Sequence, residues 1–233
     1  MQSGRLQPVQ IAAFTELESP FGRCDARMGS ACAARQGGTK GGVVEKMQFT
    51  RMDEGTDEDF QILKRLHERT LARLPDLLLG MVNDLSGDQA YRISRRDHSL
   101  QAATRALRDD ADEELIVVAL LHDVGEALGP INHGEIAAAI LHPFISEENY
   151  NLLKYHGLFQ TYFYASHLGL DPNARDRYKT EPWYQKTVDF CAKYDEVSFD
   201  PDYRSEPMSR FEPMVRRVLN KPWRPPSQTA PSR

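Results

Sequence analysis

No stretch of the 233-residue chain approaches the roughly 20 consecutive apolar residues that a membrane-spanning helix needs. The most apolar run, Leu115 to Leu121, amounts to a buried helix turn or two, so a transmembrane role is excluded. Cysteine is scarce: Cys24, Cys32 and Cys191 are an odd number in a long chain, which argues against a disulfide scaffold and for a reducing, cytoplasmic setting. Basic charge is in deficit, with 29 Lys+Arg against 34 Asp+Glu, a net charge of -5 and a pI near 5.8. General nucleic-acid binding is thereby disfavoured, because that affinity comes from clustered cations on phosphates. Alternating strand patterns and internal repeats are absent too. What is present, 40% hydrophobic and 27% charged residues, is ample for one globular core.

The ends differ from the middle. Residues 1–46 hold the glycine-rich run Gln36-Gly37-Gly38-Thr39-Lys40-Gly41-Gly42 and no helical periodicity, and read as a disordered arm. An organelle-targeting leader would be richer in arginine and nearly free of acids. Met47 offers an alternative start. Residues 221–233, rich in Pro, Ser and Arg, read as a flexible tail, which leaves 47–220 as the folded domain.

Nearly every segment of that domain has helical spacing. Thr56 predicts an N-cap, with Phe60, Leu63, Leu66, Thr70 and Leu74 on one face up to a break at Pro75; a second helix follows from Asp76 to Leu85. Further helices are expected over Arg96 to Arg108, over Glu113 to Leu128 as the central buried one, and over Asn132 to Leu141 with an Asn132/Glu135 capping box. Ser146 should cap a helix that stops at Gly157, Pro182 should open one reaching Val197, and Phe211 to Leu219 should form the last. The fold class is all-α.

Chemistry concentrates in the histidines. His98 opens one helix, His122-Asp123 ends the apolar one, His133 and His156 lie near helix termini, and Asp195 lies late in another. A lone His-Asp pair at a helix end is ordinarily a cap or an ion pair. Burying an unpaired carboxylate beside an apolar run costs several kcal/mol, however, and a cation is the natural compensation. The remaining histidines, His67, His142 and His167, fall where surface or capping roles are expected.

An early His, a His-Asp doublet after an apolar helix and a late Asp resemble the HD-domain superfamily of metalloenzymes, matched in order by His98, His122, Asp123 and Asp195. His133 and His156, between the doublet and the last Asp, resemble the extra ligands of its dinuclear members. The resemblance covers about Tyr91 to Leu219. It implies an HD-domain helical bundle with a central dinuclear site: one ion on His98, His122 and Asp195, the other on His133 and His156, and Asp123 bridging both as the catalytic carboxylate. Such a donor set suits iron, and also manganese or zinc.

Most of the superfamily hydrolyses phosphate esters, and many such members carry His-Asp-x-Gly-Lys. This chain has His122-Asp123-Val124-Gly125-Glu126, whose glutamate would repel phosphate. A smaller branch, including myo-inositol oxygenase and the oxygenases that cleave hydroxylated aminophosphonates, holds a mixed-valent Fe(II)/Fe(III) pair. The run His98-Ser99-Leu100-Gln101-Ala102-Ala103-Thr104-Arg105-Ala106 is similar to the first-ligand helix of the phosphonate oxygenases. The resemblance therefore implies a diiron oxygenase that takes dioxygen and a small hydroxylated substrate; a phosphohydrolase acting on a nucleotide or other phosphate ester is the competing implication. Two departures argue against the same small phosphonate. Tyr91-Arg92-Ile93-Ser94 stands nearer the first His than the family's Tyr-Ile-Gly-Glu and lacks its Glu, and Gln160 stands where those enzymes place a phosphonate-holding Lys. Candidate substrate contacts are Tyr91, Arg95, Glu126, Lys154 and Gln160, although Arg95 with Arg96 also fits a solvated helix start. Phe159, Tyr162, Phe163 and Tyr164 read as packing, and Asp200-Pro201-Asp202-Tyr203 as a carboxylate-rich loop behind the last ligand. A homodimer is left open as the assembly.

Overall fold

The computed structural model describes residues 46–87 and 90–220, and among these every regular element is helical. The arm up to residue 45 and the tail 221–233 lie outside the described residues, as do Cys24 and Cys32.

Helix α1, Asp57–Asp84, opens on a capping box: Thr56 Oγ1 accepts from Asp59 N, and Asp59 Oδ2 accepts from Thr56 N at 3.0 Å. Contrary to the break expected at Pro75, the helix runs straight through it. A mid-helix proline removes one donor and crowds the preceding turn, at about 3 kcal/mol. Here Pro75 is itself buried with Leu78, Leu79 and Val82, so core packing of the C-terminal half outweighs local propensity. The N-terminal half contributes less: Phe60 and Leu66 are 40% and 44% exposed.

Helix α2, Arg95–Arg108, is capped by Ser94, which accepts from Asp97 N at 2.9 Å, and buries His98, Leu100, Ala102, Ala103 and Ala106. Helix α3, Glu113–Leu121, is capped by Asp112 and buries every residue from Ile116 to Leu121; α2, α5 and α8 all pack on it. It ends seven residues short of the expected Leu128. The chain instead passes through His122-Asp123 into a 3-10 turn, Val124–Ala127, because the backbone must pass the start of the next helix closely: a Cβ on Gly125 would sit 2.2 Å from the His133 carbonyl oxygen.

Helix α4, His133–Leu141, lacks the expected capping box, since Asn132 (φ -124°, ψ 27°) does not take the extended conformation in which its side chain could cap. Helix α5, Glu147–Gln160, is capped by Ser146 as expected, but runs past Gly157, with Thr161 Oγ1 donating to the Gly157 carbonyl at 2.8 Å. Glu114 of α3 accepts from Ser146 N and Asn149 Nδ2, both at 2.7 Å, and so ties α5 to the core. A short α6, Ala165–Leu168, comes next. Helix α7, Tyr184–Phe190, continues as a π turn, Cys191–Asp195, and ends before Val197. Helix α8, Met208–Leu219, starts three residues earlier than expected, and buries Phe211, Val215, Val218 and Leu219. No helix among the described residues is long and apolar enough to cross a membrane.

Candidate metal centre

The breaks in helical regularity are what assemble the site. His98 comes from the first turn of α2, His122 and Asp123 from the bend after α3, His133 from the start of α4, His156 from within α5, and Asp195 from the end of the π turn. A π turn adds a residue to the helical repeat and so rotates the residues beyond it; here it delivers Asp195 against α2. Five of the six side chains are buried, His133 being part-exposed.

Each imidazole is held the same way. Nδ1 of His98 lies 2.9 Å from the Ser198 carbonyl, that of His122 2.8 Å from Ala119, that of His133 3.0 Å from Pro130 and that of His156 2.7 Å from Leu153. A carbonyl only accepts, so every Nδ1 turns its proton outward to the backbone and every Nε2 faces inward, where a neutral ring offers a lone pair. The Nε2 atoms lie in two close pairs: those of His98 and His122 are 3.1 Å apart, as are those of His133 and His156.

Two carboxylates stand among them. Asp123 Oδ1 is 3.3 Å from His133 Nε2, 3.4 Å from His156 and 3.5 Å from His122, while Oδ2 is 3.5 Å from His98. Asp195 Oδ1 lies 3.2 Å from His98 Nε2 and 3.6 Å from His122, and accepts from Gln160 Nε2 at 2.6 Å. Its Oδ2 is buried and has no hydrogen-bond partner among the described residues. Burial works against charge on all four central groups, yet His98 and His122 are held above the ordinary imidazole range by Asp195 and Asp123, and both carboxyls are held below theirs by the histidines. Such a cluster of acceptors calls for a cation. Among the described residues three sets meet the spacing for an ion: His98 with His122 and Asp123, His122 with His156 and Asp195, and Asp123 with His133 and His156. The donor set of four inward-facing imidazole nitrogens and two carboxylate groups fits a metal, whereas Cys191, whose thiol burial pushes well up, fits none.

The other candidates divide. Arg95 Nη1 is 3.2 Å from both Asp123 Oδ2 and Glu126 Oε1, so Arg95 belongs to the cluster rather than to a solvated helix start; Arg96, bound to Asn83 and Asp97, is the solvated one. Glu126 Oε1 also lies 3.3 Å from His133 Nδ1. Tyr91 packs on Phe199 and under the Arg95 guanidinium. Lys154 stands apart, its ammonium 5.2 Å from the Tyr155 ring centroid. The Asp200 loop acts through its backbone, exchanging hydrogen bonds with the Gln101 amide. His142 pairs with Glu147 at the surface. Sequence reasoning missed Phe199, stacked on His98 with 4.4 Å between centroids, and Phe190, edge-on to His122. It also missed Ser198, which holds His98 through a carbonyl; the available signal was position, three and four residues beyond Asp195.

Fold and cluster together define an all-helical protein with buried His and Asp groups that could hold metal. No family model matches the chain. Over 102 residues it is 29% identical to [1-hydroxy-2-(trimethylamino)ethyl]phosphonate dioxygenase (glycine-betaine-forming) of Leisingera caerulea, a match that takes in 38% of this chain and about half, 52%, of that relative.

Proposed function

We propose that the chain is an HD-domain enzyme that holds two iron ions and uses dioxygen to oxidise or cleave a small hydroxylated, phosphonate-like substrate. The observation that carries this reading is the convergence of four imidazole Nε2 atoms on two buried aspartates, with every Nδ1 within hydrogen-bond distance of a backbone carbonyl. His98, His122 and Asp195 would hold one ion and His133 and His156 the other, with Asp123 as the shared ligand: its Oδ1 faces His122, His133 and His156 and its Oδ2 faces His98. Manganese and zinc suit the same donors, but zinc has no redox chemistry, and similarity to a dioxygenase supports a redox-active ion, for which we take iron. Bound iron supplies the one-electron chemistry by which dioxygen reacts with an organic substrate.

The chain's own residues supply position and shielding. The four backbone carbonyls fix ring tautomer and tilt, the outer support that sets a ligand's basicity. Gln160 fixes one oxygen of Asp195. Phe199 and Phe190 lie against His98 and His122 and keep water from that side. Glu126 is held by Arg95 and lies beside His133 Nδ1; the similarity to a dioxygenase supports the oxygenase over the phosphohydrolase. The test is metal content by plasma mass spectrometry on protein purified without oxygen or chelators, with electron paramagnetic resonance after partial oxidation. Two irons per chain and a coupled mixed-valent signal are expected; a single tightly bound ion, or phosphate release from esters by the manganese or zinc form, would overturn the reading.

A further inference from the structure

We infer that Arg95 is the anchor for an anionic group of the substrate, a phosphonate or a carboxylate, and that it exchanges its contact with Asp123 for that group when the centre holds metal. The inference rests on the proposal of a metal centre.

Three observations carry it. First, Arg95 sits on the border between the cluster and an open cavity of about 560 Å³ whose walls include Asp84, Tyr91, Arg95 and Glu126. Its side chain is 30% exposed, against 6% for Asp123. Second, only Nη1 of its guanidinium is engaged by acidic groups; Nη2 and Nε find no partner among the described residues. Those donors are the planar fork that matches an oxyanion. Third, the contact with Asp123 competes with metal. An oxygen that ligates a cation gives up negative charge toward Arg95, and two divalent ions with Arg95 outweigh Asp123, Asp195 and Glu126 by two positive charges. An anionic substrate group lowers that imbalance, and Arg95, steadied by Glu126 and by the Tyr91 ring at 5.3 Å, is placed to receive it beside the bridging carboxylate.

The test compares the iron-loaded protein with its Arg95→Gln and Arg95→Lys variants. Metal content is measured first, then affinity by anaerobic calorimetry for hydroxymethylphosphonate, glycolate and neutral ethylene glycol. Arg95→Gln should keep its metal and bind one or both oxyanions about 10- to 100-fold more weakly, with ethylene glycol unchanged. Arg95→Lys should recover part of the loss. Which oxyanion responds tells phosphonate from carboxylate. Oxyanion affinity that is equal in wild type and Arg95→Gln, affinity lost equally for ethylene glycol, or no oxyanion binding by the loaded wild type overturns the anchor while leaving the metal centre standing. A wild type that takes up no metal overturns both.

Discussion

At the scale of single residues, the site depends on atoms that are absent as much as on ligands that are present. A Cβ at Gly134 would lie 2.8 Å from the Leu153 carbonyl oxygen and 3.0 Å from His156 Cε1, so the same carbonyl that holds the His156 ring leaves no room for alanine. Gly134→Ala should displace His156 and lower metal retention in the His133/His156 half, measured as ions per chain after dialysis, while the fold survives by circular dichroism. Asp123→Ala should remove both ions, because it deletes the shared carboxylate, whereas His156→Ala should keep one; equal retention in the two variants would contradict the sharing. The six clustered residues were legible in the sequence because imidazoles and carboxylates are rare in apolar helices and their order is distinctive. The supports were not. Ser198 and the three other carbonyl acceptors act through backbone, which carries no residue signal, and Phe199 looks like any core aromatic.

At the scale of elements, hydroxyl caps were easier to read than helix breakers. Thr56 and Ser146 cap as their types dictate, because a side-chain hydroxyl meets an orphan N–H locally. Pro75 and Gly157 are breakers by propensity, yet α1 and α5 pass through them: Pro75 is buried in the core, which local sequence does not show, and the Gly157 carbonyl is taken by Thr161. The α1 cap gives a pH prediction. Its backbone bonds from Thr56 and Gln48 hold the Asp59 carboxyl below its ordinary 3.8. A depressed folded value means that the stabilisation is fully present above 3.8 and is lost as pH falls through the lower value. The melting temperature of Asp59→Asn should therefore lie below wild type at neutral pH and converge with it in acid; a gap that widened on acidification would refute the assignment. Thr56→Ala should lower melting at neutral pH by about 2–4 °C.

At the scale of the whole molecule, the clustered donors draw on α2, the bend after α3, α4, α5 and the π turn, so a bound ion would tie together elements far apart in sequence. Metal at about 100 times its dissociation constant should add about 2.7 kcal/mol, or roughly 5–10 °C in melting temperature, and a chelator should reverse it in calorimetry. The all-helical class was legible from periodicity, but the assembly of the cluster turns on the π turn and on the bend at Gly125, whose causes are contacts distant in sequence. The carbonyl latches have a consequence of their own. His122, His133 and His156 each bind the carbonyl three residues earlier in the same segment, so their rings are oriented by local chain geometry before the segments meet. Ring orientation is then a by-product of folding rather than of loading: uptake involves little rotamer search, and the empty and filled proteins should differ more in rigidity than in shape.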